Sequence, residues 1–370
     1  MINILYVVST LQRSGPTLQL LNLLRYLDKS TFNPIVLTLS KEPPDSLISE
    51  LHQHCENFHS LNLRRVDSLM FGSSKLKKYL EMSHIDIIHT QGIRSDLLAS
   101  NVSDKYPHIA TFRNYPYEDY PSKFGILKGS LMAKKHIKLL KKAKHPIACS
   151  NALGKRLLEF NKNTKVIQNG VFFDSSLINP ENDSSSHKQD NKRKVFISVG
   201  SLIPRKNNKL LIEAFSQRTD LDLIILGGGS EEKDLKSSAY GKENIKIVGH
   251  VKNVRSWLNK ADVFISASQA EGLPNSVLEA LSHRVPCVLS DIDPHKEISE
   301  TLSFSSGVWL FQNNSIESLL NTIQNAENCS KLSDDQMNVV YNCFEASSMS
   351  KKYQQMYQEI INSERKHVDQ

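Results

Sequence analysis

Residues 261–292 read ADVFISASQAEGLPNSVLEALSHRVPCVLSDI. Two apolar, β-branched runs, DVFISAS and VPCVLS, flank a helix-forming run, so the stretch reads as strand, helix, strand. Between the first strand and the helix, Gly272, Pro274 and Asn275 crowd between two glutamates, Glu271 and Glu279, spaced eight positions apart. Outward from this unit the same alternation continues. Its strand candidates are INILYVVS, PIVLTL, IDIIHT, IATF, PIACS and KVIQNG in the first half, then VFISVG, LDLIILGG, IKIVGH, DVFISAS, VPCVLS and GVWLF. Short runs separated by longer helical patterns are the signature of stacked βαβ units with parallel sheets.

A chain of 370 residues exceeds one compact core and points to two domains. The stretch NPENDSSSHKQDNKRK, 179–194, is nearly free of apolar residues and is expected to link them. The expected fold is therefore α/β, with two Rossmann-like, doubly wound parallel-sheet domains over 1–178 and 195–345. Their strand C-termini would face a shared cleft, where ligands bind in open α/β sheets. Over 346–370, Tyr353, Met356, Tyr357 and Ile360 recur at helical spacing, a stripe that suits a core better than a ligand.

Apolar runs such as ILYVV and LIIL fall well short of the roughly 20 residues of a membrane-spanning helix. MINILYVVSTLQRSG is expected to open the fold as a strand, since no positive charge precedes its apolar run. Cys55, Cys149, Cys287, Cys329 and Cys343 are odd in number and form no CxxC pair, which signals neither a disulfide framework nor a zinc site. They read as free thiols of a cytoplasmic protein.

The net charge of +7 is divided unevenly: residues 1–170 hold 24 Lys+Arg against 13 Asp+Glu, and the remainder 22 against 26. Seven lysines and no acid occupy KGSLMAKKHIKLLKKAKH, 128–145, with Leu131, Ile137, Leu139 and Leu140 supplying apolar contact. A solvated basic helix has this composition, and so does a surface that rests on anionic lipid. Nucleic acid is set aside, because no aromatic-interleaved basic motif accompanies the lysines.

Other motifs narrow the chemistry. After the first strand, VVSTLQRSGPTLQLL offers the single glycine Gly15 where a dinucleotide fingerprint needs three, and SKEPPD after the second strand has no acid placed to hold a ribose. Gly15 suits either an anion at a helix N-terminus or a plain strand-to-helix turn. GGGSEEKDLK lacks the GK[ST] ending of a P-loop. The pairs Asp220 and Asp222, and Asp291 and Asp293, are chance-level matches to a metal-binding aspartate pair, and His250 and His295 read as single loop histidines.

EGLPNSVLEA, with SVGSLIPRKNN upstream, ADVFISAS before it and GGGSEEKDLK between, resembles the nucleotide-sugar domain of glycosyltransferase family 4, retaining enzymes with two Rossmann-like domains. The first half matches through SGPTLQLLNLLRYL, IDIIHTQG and the stretch from PIACS to VIQNGV. The resemblance implies that Glu271 accepts hydrogen bonds from donor-sugar hydroxyls, that the amides of Gly272 and Leu273 hold sugar and phosphate, and that Glu279 accepts the ribose hydroxyls. Carboxylates suit that work, since each oxygen accepts from neighbouring hydroxyls. Pro274 fixes φ near the first helical turn, and the amides of Asn275, Ser276 and Val277 are expected to lie open there, at the positive end of the helix dipole. A diphosphate fits such a place.

Breaking a sugar–phosphate bond leaves negative charge on the diphosphate, which calls for fixed cations. Lys206 matches the family's phosphate-facing lysine. Ser201 stands where the family has an arginine, and Arg205 is the natural substitute. His250 would lie near the base. Arg113 replaces a histidine that many relatives carry near the reacting sugar, leaving Arg113 or Asn114 as an acceptor-side or phosphate contact. The last helix would cross back onto the first domain, and no obligatory metal or other cofactor is expected.

The resemblance thus implies a retaining transferase moving a sugar from a nucleotide diphosphate sugar, UDP favoured, to a hydroxyl of a lipid-linked bacterial surface polysaccharide such as O antigen or capsule. It would work in the cytoplasm, in peripheral contact with the membrane through residues 128–145. A UDP-sugar epimerase of the same architecture and a non-catalytic sugar-nucleotide binder are the alternatives.

Overall fold

The apolar runs assemble into two wholly parallel sheets in a computed structural model that describes residues 1–102, 104–173, 193–303 and 306–368. The chain divides into two units, residues 1–120, 127–170 and 346–370 in one, and 121–126 and 171–345 in the other. The boundary expected at 178 and most of the 179–194 linker lie outside the described residues.

The first unit carries β1 (Ile2–Val8), β2 (Phe32–Thr38), β3 (Asn57–Ser60), β4 (Ile87–Gln91), β5 (His108–Phe112), β6 (His145–Ala148) and β7 (Lys165–Val166), in the order β3-β2-β1-β4-β5-β6-β7. Its helices are α1 (Gly15–Arg25), α2 (Ile48–His52), α3 (Arg65–Glu81), α4 (Ile93–Ser100), α5 (Pro116–Phe124), α6 (Ile126–Leu140) and α7 (Asn151–Leu158), α5 running on into the short segment assigned to the second unit. β3 is the strand that sequence patterning missed. Its NFHS holds one apolar residue and lies at the sheet edge, where pairing with β2 alone suffices.

In the second unit β8 (Val195–Val199), β9 (Asp222–Leu226), β10 (Ile245–Gly249), β11 (Val263–Ser266), β12 (Cys287–Ser290) and β13 (Val308–Phe311) take the order β10-β9-β8-β11-β12-β13. Helices α8 (Asn208–Gln217), α9 (Glu232–Ala239), α10 (Arg255–Leu258), α11 (Asn275–Ser282), α12 (Asp293–Leu302), α13 (Ile316–Ala326) and α14 (Asp334–Phe344) connect and flank them, and a 3-10 turn, Pro204–Lys206, follows β8. The central strands are buried along their length, as sheets covered on both faces require. Strand order reverses between β1 and β4 in one unit and between β8 and β11 in the other. At such switch points successive loops diverge and leave a crevice at the strand C-termini.

The last helix, α15 (Ala346–Val368), belongs to the first unit and packs on α1. Tyr353, Met356, Tyr357 and Ile360 are buried in one cluster with Leu20, Leu24 and Tyr6. The Tyr357 hydroxyl lies 2.7 Å from His89 Nδ1 and 3.2 Å from the Tyr6 hydroxyl, so the stripe carries its polar tips into a satisfied network.

Candidate active site

The loops leaving β8 and β11 flank the switch point of the second unit, and they carry three of the residues singled out from sequence. The 3-10 turn after β8 presents Arg205 and Lys206, and the loop after β11 presents Glu271. Lys206 Nζ donates to Glu271 Oε1 at 2.5 Å, and Arg205 Nη1 donates to Glu271 Oε2 at 2.9 Å. Arg205 Nη1 also donates to the Ala270 carbonyl oxygen, while the Arg205 carbonyl accepts from the Gln269 amide at 2.8 Å. The arginine thereby straps the two loops together. Its side chain is 9% exposed and that of Lys206 16%, so neither is a surface charge.

Burial alone would raise the Glu271 carboxyl. The adjoining charges of Lys206 and Arg205 and their hydrogen bonds outweigh it and hold the group well below the usual carboxylate range. Gly200 explains how Lys206 reaches this place. A Cβ on Gly200 would stand 3.2 Å from Lys206 Cε and 3.3 Å from Nζ, so a larger residue there would push the ammonium away. Gly227, at the end of β9 with φ +139°, is likewise required, because a Cβ would overlap the Gly200 carbonyl oxygen.

Past Glu271, the buried Gly272, Leu273 and Pro274 lead into α11. Pro274 is the cap residue with φ −74° and ψ 109°, one position before the helix. Asn275 and Ser276, both partly exposed, open the first turn. The Val277 amide, expected to be open, donates to the Pro274 carbonyl at 3.1 Å, because the turn tightens to a three-residue bond at its start. An anion at this mouth therefore meets the positive end of the helix dipole without the Val277 amide. Glu279 lies one turn in, partly exposed, and His250 is exposed just past β10, where Gly249 takes φ +89°.

Gly15, Arg113 and Asn114 belong to the other unit. Gly15 is the first residue of α1. Arg113 directly follows β5, and its guanidinium is held by two side chains that sequence reasoning did not single out. Nη1 donates to Asn169 Oδ1 at 2.5 Å, and Nη2 donates to Gln91 Oε1 at 3.0 Å. Gln91 ends β4 and Asn169 lies just past β7, so the three meet at the C-terminal edge of the sheet. The available signal was a polar residue immediately before a glycine at each strand exit, in HTQG and VIQNG. Asn114 is partly exposed next to Arg113.

His295 corrects a reading: it sits in the first turn of α12, fully buried, not in a solvated loop. The aspartate pairs also have other partners. Asp220 is bound by Arg218, and Asp291 accepts from the Asn313 amide at 2.8 Å. Among the described residues no three His, Cys, Asp or Glu side chains gather as a metal ion would need. No described helix is long and apolar enough to cross a membrane.

Two parallel-sheet units, one of them with a carboxylate and two cations in the loops at its switch point, fit the class of two-domain glycosyltransferases. Residues 13–174 match the family described as Glycosyltransferase Family 4, and residues 179–341 match Glycosyl transferases group 1; together the two span nearly the whole chain, which belongs to this family. The chain is 24% identical to the O-antigen biosynthesis glycosyltransferase WclY of Escherichia coli, over 97% of this chain and 98% of WclY. It is 31% identical over 139 residues, 35% of each chain, to the Escherichia coli UDP-Gal:alpha-D-GlcNAc-diphosphoundecaprenol alpha-1,3-galactosyltransferase. Among solved structures, Anabaena HepE in complex with UDP and glucose superposes with a TM-score of 0.79 at 16% identity, over 97% of this chain and 100% of HepE.

Proposed function

We propose that this glycosyltransferase moves a sugar, with retention of anomeric configuration, from a UDP-sugar to a hydroxyl of a lipid-linked bacterial surface polysaccharide. The observation that carries the donor assignment is the Lys206–Glu271–Arg205 cluster at the switch point beside the mouth of α11. Its two cations and single carboxylate leave a net positive charge for a diphosphate. The dipole of α11 adds to it.

In this reading Lys206 meets the diphosphate and neutralises charge as the sugar–phosphate bond breaks. Glu271 accepts from sugar hydroxyls, and Arg205 holds the carboxylate in place. Gly272 and Leu273 present backbone to sugar and phosphate, Glu279 takes the ribose hydroxyls, and His250 lies toward the base. The acceptor oxygen forms the new bond on the face that the diphosphate leaves, and a diphosphate oxygen takes the acceptor's proton. No step requires a metal. Arg113, braced by Gln91 and Asn169, serves the acceptor side of the first unit together with Asn114, and Gly15 opens the helix at that unit's own switch point.

The activities named for the two Escherichia coli relatives support the polysaccharide, the UDP donor and the lipid-linked acceptor. A peripheral membrane contact suits such an acceptor, and α6 has the face for it. Leu127 is 90% and Leu131 57% exposed, and the exposed Lys134, Lys135 and Lys138 continue the same side, whereas Ala133, Ile137 and Leu140 are buried beneath. The expected four-residue apolar contact is thus divided: Ile137, Leu139 and Leu140 enter the core and Leu131 faces out. Buried His136 ties the helix down, with Nε2 2.8 Å from Asp96 Oδ2.

The test is to incubate the protein with UDP-glucose, UDP-galactose or UDP-N-acetylglucosamine and a polyprenyl-diphosphate-linked saccharide in deuterated water. A lipid-linked product with the donor's anomeric configuration, read by NMR, is the expected result. Deuterium entering the sugar ring without acceptor would instead identify an epimerase, and binding without turnover a sugar-nucleotide binder.

A further inference from the structure

His295 is fully buried in the first turn of α12, within electrostatic reach of Glu271 and Lys206, and its hydrogen bonds fix which ring nitrogen carries the proton. Nδ1 lies 2.8 Å from the Ser290 carbonyl oxygen, which can only accept. It also lies 3.1 Å from Ser290 Oγ, whose own hydrogen is donated to the Ser268 carbonyl at 2.6 Å. Nδ1 is therefore the donor, and in the neutral ring Nε2 keeps a bare lone pair. Among the described residues nothing donates to that lone pair. Burial keeps the ring neutral, pushing its pKa down to about 4, and the side-chain charges that act on it are those of Glu271 and Lys206. A buried acceptor without a donor is costly and calls for one. Phosphate oxygens have no hydrogen to offer at neutral pH. A sugar offers one at every hydroxyl.

Resting on the donor-site reading above, we propose that His295 Nε2 accepts a hydrogen bond from a hydroxyl of the transferred sugar, beside Glu271, and so helps select that sugar. Ser290 is then a positioning residue, since its carbonyl sets the tautomer that makes Nε2 an acceptor.

Calorimetric titration of wild type, His295→Asn and His295→Gln with UDP, UDP-glucose, UDP-galactose and UDP-N-acetylglucosamine tests this. Asn keeps an N–H near Nδ1 for Ser290 and removes the Nε2 acceptor, whereas Gln returns an amide oxygen to that position. The expected result is that Asn leaves UDP affinity unchanged and weakens the preferred UDP-sugar about tenfold, the effect of one lost hydrogen bond, with Gln recovering part of the loss. Equal weakening of UDP and UDP-sugar by Asn, or no weakening of either, overturns the role of His295 and leaves the donor site standing. Failure of wild type to bind any of the four overturns the donor site itself and this role with it.

Discussion

Lys206 Nζ lies 2.5 Å from Glu271 Oε1, on a carboxylate whose other oxygen is held by Arg205. One anion thus restrains two cations that like-charge repulsion would otherwise separate, and the cluster stays net positive. That arrangement keeps the cations in place before an anionic ligand arrives, which is how preorganised electrostatics acts in a site shielded from water.

Replacing Glu271 by Gln leaves Arg205 and Lys206 buried without their counter-charge. Breaking a buried pair in this way costs about 3–5 kcal/mol at pH 7, read by denaturant unfolding. The sign of the pH dependence follows from the depressed carboxyl. Its contribution is complete above the unfolded carboxylate value of about 4.3 and is lost as pH falls toward the lower folded value. Wild type should therefore lose stability over that acid window, and Glu271→Gln should flatten the profile there. An unchanged slope contradicts the pairing.

Arg205 donates to Glu271 and to the Ala270 carbonyl, which is a bracing role. Arg205→Ala should lower kcat/KM about tenfold to a hundredfold, the range for a charge-assisted hydrogen bond, while UDP affinity changes little. Lys in its place cannot reproduce the fork and should restore only part of the rate. Loss of UDP binding equal to that of a Lys206 variant would mean that Arg205 meets the diphosphate directly.

Arg113 belongs to the first unit with Gln91 and Asn169. Arg113→Ala should leave UDP affinity intact and reduce transfer, and Gln91→Leu should reproduce much of that loss by freeing the guanidinium from two of its bonds. A variant that binds UDP poorly but transfers normally once saturated would assign Arg113 to the donor instead.

The exposed lysines of α6 predict binding to anionic vesicles. Each basic residue near such a surface contributes about 1 kcal/mol, so the triple change Lys134→Glu, Lys135→Glu and Lys138→Glu should weaken sedimentation with phosphatidylglycerol vesicles by at least about a hundredfold. Salt should weaken the wild type in the same way. Binding that is insensitive to both would remove α6 as the contact.

Both sheets were legible because their central strands are nearly continuous apolar runs, buried on both faces, and that pattern survives in sequence. β3 was not, since an edge strand of four residues needs backbone pairing more than apolar side chains. The meeting of Lys206, Arg205 and Glu271 was suggested by motif, but no local pattern could show that Arg205 turns inward to Ala270. The Val277 amide was misread because the tight first turn is a property of the ψ at Pro274. Gln91 and Asn169 left only a polar residue before a glycine as a signal, because they meet Arg113 from strands distant in sequence, and His295 was read as a loop histidine because its burial in α12 is set by packing that no local pattern shows.

The central claim is that the mouth of α11, with Lys206, holds the diphosphate of a UDP-sugar. It is tested most directly by calorimetric titration of UDP into wild type, Lys206→Ala and Glu279→Ala. The account predicts that wild type binds, that Lys206→Ala weakens binding about tenfold to a hundredfold through the lost charge-assisted contact, and that Glu279→Ala weakens it by about tenfold through the lost ribose contact. UDP binding that ignores both substitutions, or no binding by wild type, would contradict it.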